Sequence, residues 1–293
     1  MIKELVVISG KGGTGKTSLT GSFAVLANQP VISDCDVDAA DLHLLLEPKI
    51  VQRRRFIAGQ RAQIRPGHCT ACGKCEELCR FDAIFYDGPG NGSVDKTFRV
   101  DPIACEGCGV CARFCAEDAI VLQPTESGEW YISQTRCGTM VHAQLGIGAA
   151  NSGRLVTLIR KEAARLAEQE NSSLILIDGP PGIGCPVIAS VTGANVALVV
   201  TEPTVSGEHD LERVLALTRH FDIDTAVCVN KWDINPEMTE RIESSARQWG
   251  ARIAGRVRYD TSLTSAQMQE KTAIETHAPC ADDIIGVWNN LNL

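Results

Sequence analysis

The feature that most constrains the fold of this 293-residue chain is a run of four cysteines that occurs twice. Each run has the spacing C-x2-C-x2-C-x3-C, and every position recurs 36 residues later. The eight residues are Cys69, Cys72, Cys75, Cys79, Cys105, Cys108, Cys111 and Cys115. The offset extends beyond the cysteines, because Asp82 and Ile84 match Asp118 and Ile120. The segment is therefore an internal repeat, and its cysteines predict a small unit stabilised by bound metal rather than by a large core.

Cysteines in this arrangement are expected to be ligands. The chain contains 13 cysteines, and its first residues enter an apolar strand, so no signal peptide is expected. We therefore expect a cytoplasmic protein, where thiols stay reduced and grouped cysteines bind metals more often than they form disulfides. Zinc is an open alternative because four-cysteine zinc sites also use C-x2-C pairs. Such sites, however, do not need a third cysteine two residues further on.

The two runs resemble those of bacterial two-cluster ferredoxins. The resemblance covers residues 59–124 and implies two [4Fe-4S] clusters, the fourth cysteine of each run ligating the other cluster. One ligand set would be Cys69, Cys72, Cys75 and Cys115, and the other Cys105, Cys108, Cys111 and Cys79. The family pattern has proline after each fourth cysteine, where this chain has Arg80 and Ala116. That departure leaves the ligands intact but affects hydrogen bonding and solvent access, and hence the cluster potentials.

A second motif, GKGGTGKT at residues 10–17, predicts a phosphate-binding loop. It satisfies G-x4-G-K-[ST] between an apolar strand and a helix, which is the context the motif requires. Lys16 would reach the β- and γ-phosphates, and the Thr17 hydroxyl would coordinate Mg2+. The residues expected to contact the nucleotide are Gly10, Gly12, Gly13, Thr14, Gly15, Lys16, Thr17 and Ser18.

Lys11 gives the loop the K-G-G-x-G-K-[ST] form, which resembles the MinD/ParA/nitrogenase iron protein group of deviant Walker A ATPases. The resemblance implies a homodimer in which Lys11 reaches the ATP of the other subunit; a solvated Lys11 is the alternative. It also implies that Asp36 orients or deprotonates the attacking water and that Asp34 holds the Mg2+ shell. Asp178, in LILIDGPPGIG, would face the metal through water, so the catalytic set is Lys11, Lys16, Asp36 and Asp178.

Base recognition is left open by the sequence. Asn230 in VNKWD lies where the resemblance places a base-reading asparagine, but N-K-x-D also resembles the guanine motif of GTPases, with Asp233 as second reader. We favour ATP because Lys11 and the DGPPG segment match the ATPase branch. The segment at residues 258–266 resembles the loop that closes over adenine, which makes Tyr259 and Asp260 further candidates.

Hydrophobic periodicity predicts an α/β fold with a doubly wound, mostly parallel sheet, interrupted by a small α+β ferredoxin-type insert. Predicted strands lie at residues 3–8, 31–33, 174–177, 196–201, 225–229 and 252–257, and predicted helices at about 16–28, 209–220 and 236–249. The expected domains are residues 1–58 and 125–293 for the ATPase and 59–124 for the insert.

The charge of the chain indicates which classes of partner it is not expected to bind. A formal net charge of -8 argues against binding to nucleic acid. Residues 272–293 contain no Lys or Arg, so anionic lipid would repel this tail and no direct membrane anchor is expected. Its apolar residues are expected to pack on the protein's own core: Ile284, Ile285, Val287, Trp288 and Leu291.

Five cysteines lie outside the repeat: Cys35, Cys137, Cys185, Cys228 and Cys280. Cys228, inside a strand, is expected to be a small buried hydrophobe. Cys185 lies seven residues after Asp178, in the region where nitrogenase iron proteins carry a ligand of an intersubunit cluster. A third cluster that bridges two subunits through Cys185 and Cys137 is a hypothesis.

Three functions follow from the resemblance to ATPases with an inserted ferredoxin unit. The first is coupling of ATP hydrolysis to electron transfer toward a redox partner. The second is an Fe-S or metal cluster carrier related to Mrp-type ATPases, although the late C-x2-C pair of those proteins is absent from this sequence. The third is a MinD/ParA-like positional or scaffolding ATPase whose clusters are structural or sensory.

Overall fold

The computed structural model describes residues 2–146 and 152–293, which form two compact units. The first consists of residues 2–54, Glu129–Leu145 and Ser152–Leu293, and the second of Arg55–Gly128. The strands are β1 Lys3–Ser9, β2 Val31–Asp34, β3 Lys49–Ile64, β4 Ile84–Gly88, β5 Thr97–Val100, β6 Ile120–Gln134, β7 Thr139–Leu145, β8 Leu174–Pro181, β9 Val196–Thr201, β10 Asp224–Asn230 and β11 Arg252–Val257. The helices are α1 Lys16–Leu26, α2 His43–Leu46, α3 Lys74–Glu77, α4 Val110–Arg113, α5 Ser152–Glu170, α6 Cys185–Val191, α7 Val205–His220, α8 Pro236–Gln248, α9 Ser262–Met268 and α10 Ala281–Asn289. Short 3-10 helices span Pro66–His68 and Trp232–Ile234.

Nine strands form one sheet in the order β11-β10-β9-β1-β8-β2-β7-β6-β3. The pairs from β11 to β7 are parallel, so the predicted mostly parallel α/β sheet is confirmed. Parallel neighbours point the same way, and the carboxyl ends of β1, β2 and β8 therefore meet at one edge of the sheet. The polar residues that follow these three strands along the chain therefore lie at this edge of the sheet.

Both faces of the central strand β1 are buried. Leu5 and Val7 pack in a core cluster with Phe23 of α1 and Ile284 of α10. Side chains alternate along a strand, so Val6 and Ile8 point to the opposite face, and they too are fully buried. The apolar run that predicted β1 thus reflects burial on two sides.

Four of the five apolar residues predicted to pack near the C-terminal helix α10 do so, and Ile285 is half-buried. Ile284, Val287 and Leu291 are each 1% exposed, and the Trp288 ring lies 5.2 Å from that of Phe23. Partly buried Trp288 belongs to the residues packed against the same core cluster. No helix among the described residues is long and apolar enough to cross a membrane.

Helix boundaries differ from the predicted ones where a cap was overlooked. α7 begins at Val205, not at residue 209, because the Thr204 side chain accepts a hydrogen bond from Gly207 N. The predicted elements do not include α5, although its buried residues recur at helical spacing: Leu155, Val156, Ile159, Ala163, Leu166 and Ala167.

The second unit has a small core and an antiparallel β4–β5 pair. The buried residues of this core cluster are Ala62, Ile64, Cys69, Ile84, Phe98, Ala119 and Ile120. The predicted domain boundaries, after residues 58 and 124, fall inside β3 and β6. Those boundaries stay a prediction.

The sequence repeat is also a repeat of backbone conformation. Positive φ angles recur at the 36-residue offset, at 82° and 77° in Gly73 and Gly109, which immediately precede α3 and α4. Ala71 and Gly107 form a second such pair, at 57° and 65°. A Cβ atom at Gly107 would lie 1.9 Å from the Gln60 carbonyl oxygen, so only glycine fits the second copy.

Candidate functional site

The phosphate-binding motif forms a loop between β1 and α1. Gly15 adopts φ 89°, and a Cβ atom there would lie 2.4 Å from Asn230 Nδ2, so the sequence needs glycine at this turn. The loop is followed at once by α1, whose N-terminal backbone N–H groups and dipole favour an anion. Lys16, the first residue of α1, is only 5% exposed.

A cavity of about 480 Å³ opens over this loop. Seven of the predicted site residues line it: Gly12, Gly13, Gly15, Lys16, Thr17, Ser18 and Asp36. Gln267 of α9 lines it as well and donates from Nε2 to Ser18 Oγ at 2.9 Å. Gln267 was not predicted, and its place in the segment after the proposed adenine loop is the signal that could have found it.

Two carboxylates predicted to serve Mg2+ lie side by side beneath the cavity. Asp34 ends β2 and is paired in register with Asp178 of the neighbouring parallel strand β8. Asp178 accepts hydrogen bonds from Thr17 Oγ1 at 2.8 Å and from Thr20 Oγ1 at 3.0 Å. Within residues 2–146 and 152–293, Asp34 Oδ2 is buried without a hydrogen-bond partner. An unpaired buried carboxylate oxygen on Asp34, whose partner in register is a carboxylate that accepts from a threonine hydroxyl, fits a site for hydrated Mg2+.

Burial sets the protonation behaviour of this group. Desolvation raises the pKa of Asp178 to about 6, against the opposing charge of Lys16 and the hydrogen bond from Thr17. Desolvation, and then the neighbouring Asp178, raise the pKa of Asp34 well above its usual value. Desolvation also raises the pKa of Asp36, which Lys16 opposes. Mutual repulsion of closely placed carboxylates is what a bound divalent cation relieves.

The residues predicted to read the base do not line the cavity. Asn230 is 5% exposed and donates from Nδ2 to the Thr14 carbonyl at 2.8 Å, so it supports the loop from behind. Asp233 accepts a hydrogen bond from Tyr259 N at 2.7 Å, and Tyr259 itself is 51% exposed. Asp260 accepts from Ser262 N at 2.9 Å and therefore orders the start of α9. Base reading by these residues stays a prediction.

Lys11 contacts residues of its own chain. Its Nζ lies 3.4 Å from a carboxylate oxygen of Glu202, 3.3 Å from Ser206 Oγ and 3.4 Å from Thr204 Oγ1. The side chain is 31% exposed, so it is neither buried nor fully solvated. Glu202 was not predicted as a site residue, and nothing in the loop motif points to it.

The eight repeat cysteines surround two cavities in the second unit. One cavity is lined by Cys79, Cys105, Cys108 and Cys111. The other is lined by Cys69, Cys72, Cys75 and Cys115, together with Cys111. Each cavity thus has three cysteines of one run and the fourth of the other run.

In both copies of the repeat, a backbone N–H group donates to the fourth cysteine of the run. Ala83 N donates to Cys79 Sγ at 3.4 Å, and Ala119 N donates to Cys115 Sγ at 3.3 Å. Such donors suit a thiolate that ligates a cluster. Within the part of the chain that the structure describes, no group of three or more His, Cys, Asp and Glu side chains is arranged to hold a metal ion.

The hypothesis of a bridging cluster at Cys137 and Cys185 is contradicted by the fold. Cys137 precedes β7 at the amino ends of the parallel strands and is buried in the core cluster. Cys185 follows the carboxyl end of β8, whose eight residues span about 26 Å at about 3.3 Å each. The two thiols therefore lie at opposite ends of the sheet. Cys228 is fully buried in β10, as predicted.

The chain matches a known family over most of its length. The family described as the CobQ/CobB/MinD/ParA nucleotide-binding domain matches residues 5–273. The chain belongs to this family. An uncharacterised protein of Methanocaldococcus jannaschii is 36% identical over 239 residues, which are 80% of this chain and 80% of that protein.

Solved structures agree on the fold. The septum site-determining protein MinD of Pyrococcus horikoshii, complexed with Mg-ADP, has a TM-score of 0.60 and 16% identity, covering 100% of this chain and 96% of that chain. The MinC:MinD cell division protein complex of Aquifex aeolicus gives 0.58 and 18%, covering 99% and 96%. At these identities the likeness shows the MinD-like fold alone.

These comparisons confirm the coarser predictions. The chain is a P-loop protein of the MinD/ParA type, and its family is that of a nucleotide-binding domain. Among the three functions, the MinD/ParA-like ATPase fits the comparisons better than ATP-driven electron transfer does. The inserted ferredoxin unit and the relation to nitrogenase iron proteins or Mrp-type carriers stay predictions.

Proposed function

We propose that this protein is a MinD/ParA-type ATPase that closes into a homodimer around Mg-ATP and engages a protein partner according to nucleotide state. The observation that carries the proposal is the buried Asp34–Asp178 pair beneath the loop, with one oxygen of Asp34 unpaired in the described structure. A cation bound there with the nucleotide phosphates would complete the group. Family membership over residues 5–273 supports the same reading.

Each site residue has a role that its position supports. The loop glycines and the start of α1 would bind the phosphates, and Lys16 would neutralise their charge. Thr17 and Asp178 share a hydrogen bond that Mg2+ would replace, because the threonine hydroxyl is the usual metal ligand of this motif. Asp36 lines the cavity and would orient the attacking water.

We further propose that the second unit binds two [4Fe-4S] clusters. The two cavities support this, since each is lined by the four cysteines that the crossed arrangement requires. A cubane uses a different iron atom for each thiolate, so its ligands surround a wider volume than the ligands of one metal ion. When bound, such clusters store and pass single electrons.

The paired cavities favour electron transfer as a second candidate function. Under that hypothesis ATP changes the rate at which reduced clusters pass electrons to an acceptor. Anaerobic reconstitution followed by stopped-flow oxidation, with and without Mg-ATP, measures this rate. If this rate is the same with and without Mg-ATP, the clusters have a structural or sensory role in the MinD/ParA-type ATPase.

The ATPase proposal is tested by hydrolysis and self-association on the full chain. Lys16→Ala is expected to lower the hydrolysis rate by about 10²- to 10³-fold, because charge on the transferred phosphoryl loses its cation. Lys11→Ala is expected to abolish ATP-dependent dimers in analytical ultracentrifugation while Mg-ADP binding is retained.

Lys161, exposed on α5, offers a matched control, and Lys161→Ala should change neither quantity. Wild-type protein that fails to retain Mg-nucleotide would overturn the proposal. If wild-type protein binds and hydrolyses ATP as a monomer, the ATP-dependent dimer and the role of Lys11 in that dimer are wrong.

A further inference from the structure

Glu202 connects the loop to two neighbouring strands. It follows β9 directly, and its carboxylate is 15% exposed. One oxygen lies 3.4 Å from Lys11 Nζ and the other 2.5 Å from Lys231 Nζ. One carboxylate therefore pairs with two ammonium groups, and Lys231 is the closer partner.

Lys231 is itself linked to the other end of the loop. Its backbone N donates to Asn230 Oδ1 at 3.0 Å, and Asn230 Nδ2 donates to the Thr14 carbonyl. The contacts thus run from Lys11 through Glu202, Lys231 and Asn230 back to the loop. A displacement of Lys11 removes only the longest of these contacts, the one at 3.4 Å.

The resting position of Lys11 is unfavourable apart from Glu202. Thr204 caps α7, and Ser206 lies in its first turn, so the ammonium group sits at the positive end of a helix dipole. Among residues 2–146 and 152–293, the other contacts of Lys11 Nζ are the hydroxyl oxygens of Thr204 and Ser206. The charge of Glu202 is therefore the main attraction that keeps Lys11 against its own chain.

We propose that Glu202 is a positioning residue that holds Lys11 on its own chain until Lys11 moves to the ATP bound by a second copy. This inference rests on the proposed ATP-dependent dimer and adds the residue that controls it. Lys231 keeps Glu202 paired after Lys11 has left. Without Lys231, departure of Lys11 would leave a mostly buried carboxylate with no counter-ion, which is costly.

The proposal predicts opposite effects for two variants. Glu202→Gln removes the charge that holds Lys11, so ATP-dependent self-association should strengthen by about 2- to 5-fold, the range expected for a partly exposed ion pair. Lys231→Met leaves Lys11 as the one ammonium on Glu202, so self-association should weaken by a similar factor of about 2 to 5. Sedimentation of the full chain at graded ATP concentrations measures both.

A structural role would not give opposite signs, since loss of a supporting contact weakens assembly in both variants. Weakening by both variants, or strengthening by both, would overturn the proposal. Thermal unfolding of each variant checks that the fold persists.

A second measurement needs no dimer. Acetylation of Lys11 in nucleotide-free protein, followed by peptide mass spectrometry, should be about 2- to 5-fold faster in Glu202→Gln than in wild type. Exposed Lys161 serves as the internal reference. An unchanged Lys11 rate would overturn the holding role. Two results together would separate this proposal from the proposed function. If Lys11 is acetylated faster in Glu202→Gln while wild type forms no ATP-dependent dimer, the proposed function fails and the contact with Glu202 stands.

Discussion

The four residues Leu5–Ile8 of β1 are fully buried, whereas seven of the eight repeat cysteines in the second unit stay at least partly exposed. The first unit closes its core with its own side chains on both faces of a sheet. The second leaves two thiol-lined cavities within a small core. The difference teaches that the first unit closes its core by packing, while the second, under the cluster binding proposed above, depends on the metal that its cysteines would hold.

Of the changes that test this difference between the two units, removal of one cysteine of the repeat is expected to have the largest effect. Cys75→Ser should lower bound iron from about eight to about four atoms per chain, because one cubane loses a ligand. Residues 55–128 should then become sensitive to protease while Mg-nucleotide binding is retained. Iron analysis after anaerobic reconstitution and limited proteolysis measure both. Cys185→Ser, at an exposed cysteine outside the repeat, is the matched control, and equal iron in the two variants would contradict the prediction.

Truncating a buried side chain in the core of the first unit should have the second largest effect. Phe23 is fully buried against Trp288, and Phe23→Ala is expected to lower the free energy of unfolding by about 3–5 kcal/mol. The four tryptophans, Trp130, Trp232, Trp249 and Trp288, all lie in the first unit, so their fluorescence during urea unfolding reports on it.

Phe98→Ala provides the comparison from the second unit. Phe98 is 5% exposed and lies 5.0 Å from the Tyr86 ring. Because this unit contains no tryptophan, the fluorescence transition should stay where it is in wild type. A shift as large as that of Phe23→Ala would mean that the two units unfold together.

The smallest expected effect concerns pH. Burial lowers the pKa of His142 to about 4, and its Nε2 lies 2.8 Å from Ser133 Oγ. The unfolded chain, with a histidine pKa near 6.5, binds the proton first as pH falls, so folding loses stability between about pH 6.5 and 4. Between pH 7.5 and 5 the loss is about 2 kcal/mol. Urea unfolding of His142→Gln should lack this part of the pH dependence, and an identical profile in the variant would contradict the assigned burial effect.

Much of this molecule could be predicted from its sequence, for physical reasons that differ by region. The central strands and α10 were predictable because burial on a parallel sheet leaves continuous apolar runs, as in residues 196–201. The loop was predictable because phosphate binding fixes both its glycines and Lys16. The crossed cysteine sets agree with the linings of the two cavities, since spacing along the chain limits which thiols can meet.

What the sequence did not predict depends on contacts between distant segments. Glu202 meets Lys11 only because β9 lies beside β1 in the sheet. Asn230 was predicted to read the base, and nothing in the sequence indicated that its amide also donates to the Thr14 carbonyl of the loop, a contact that Gly15 leaves room for. Cys137 and Cys185 were paired by analogy, and strand direction separates them.

The unequal pair Ala71 and Gly107 carries a consequence for how the repeat can be rebuilt. Both positions share a left-handed backbone, but the Gln60 carbonyl leaves no room for a methyl group at the second. A protein engineer who exchanged the two copies would therefore find the order directional. The glycine-bearing copy can stand first, whereas the alanine-bearing copy collides with β3 when placed second.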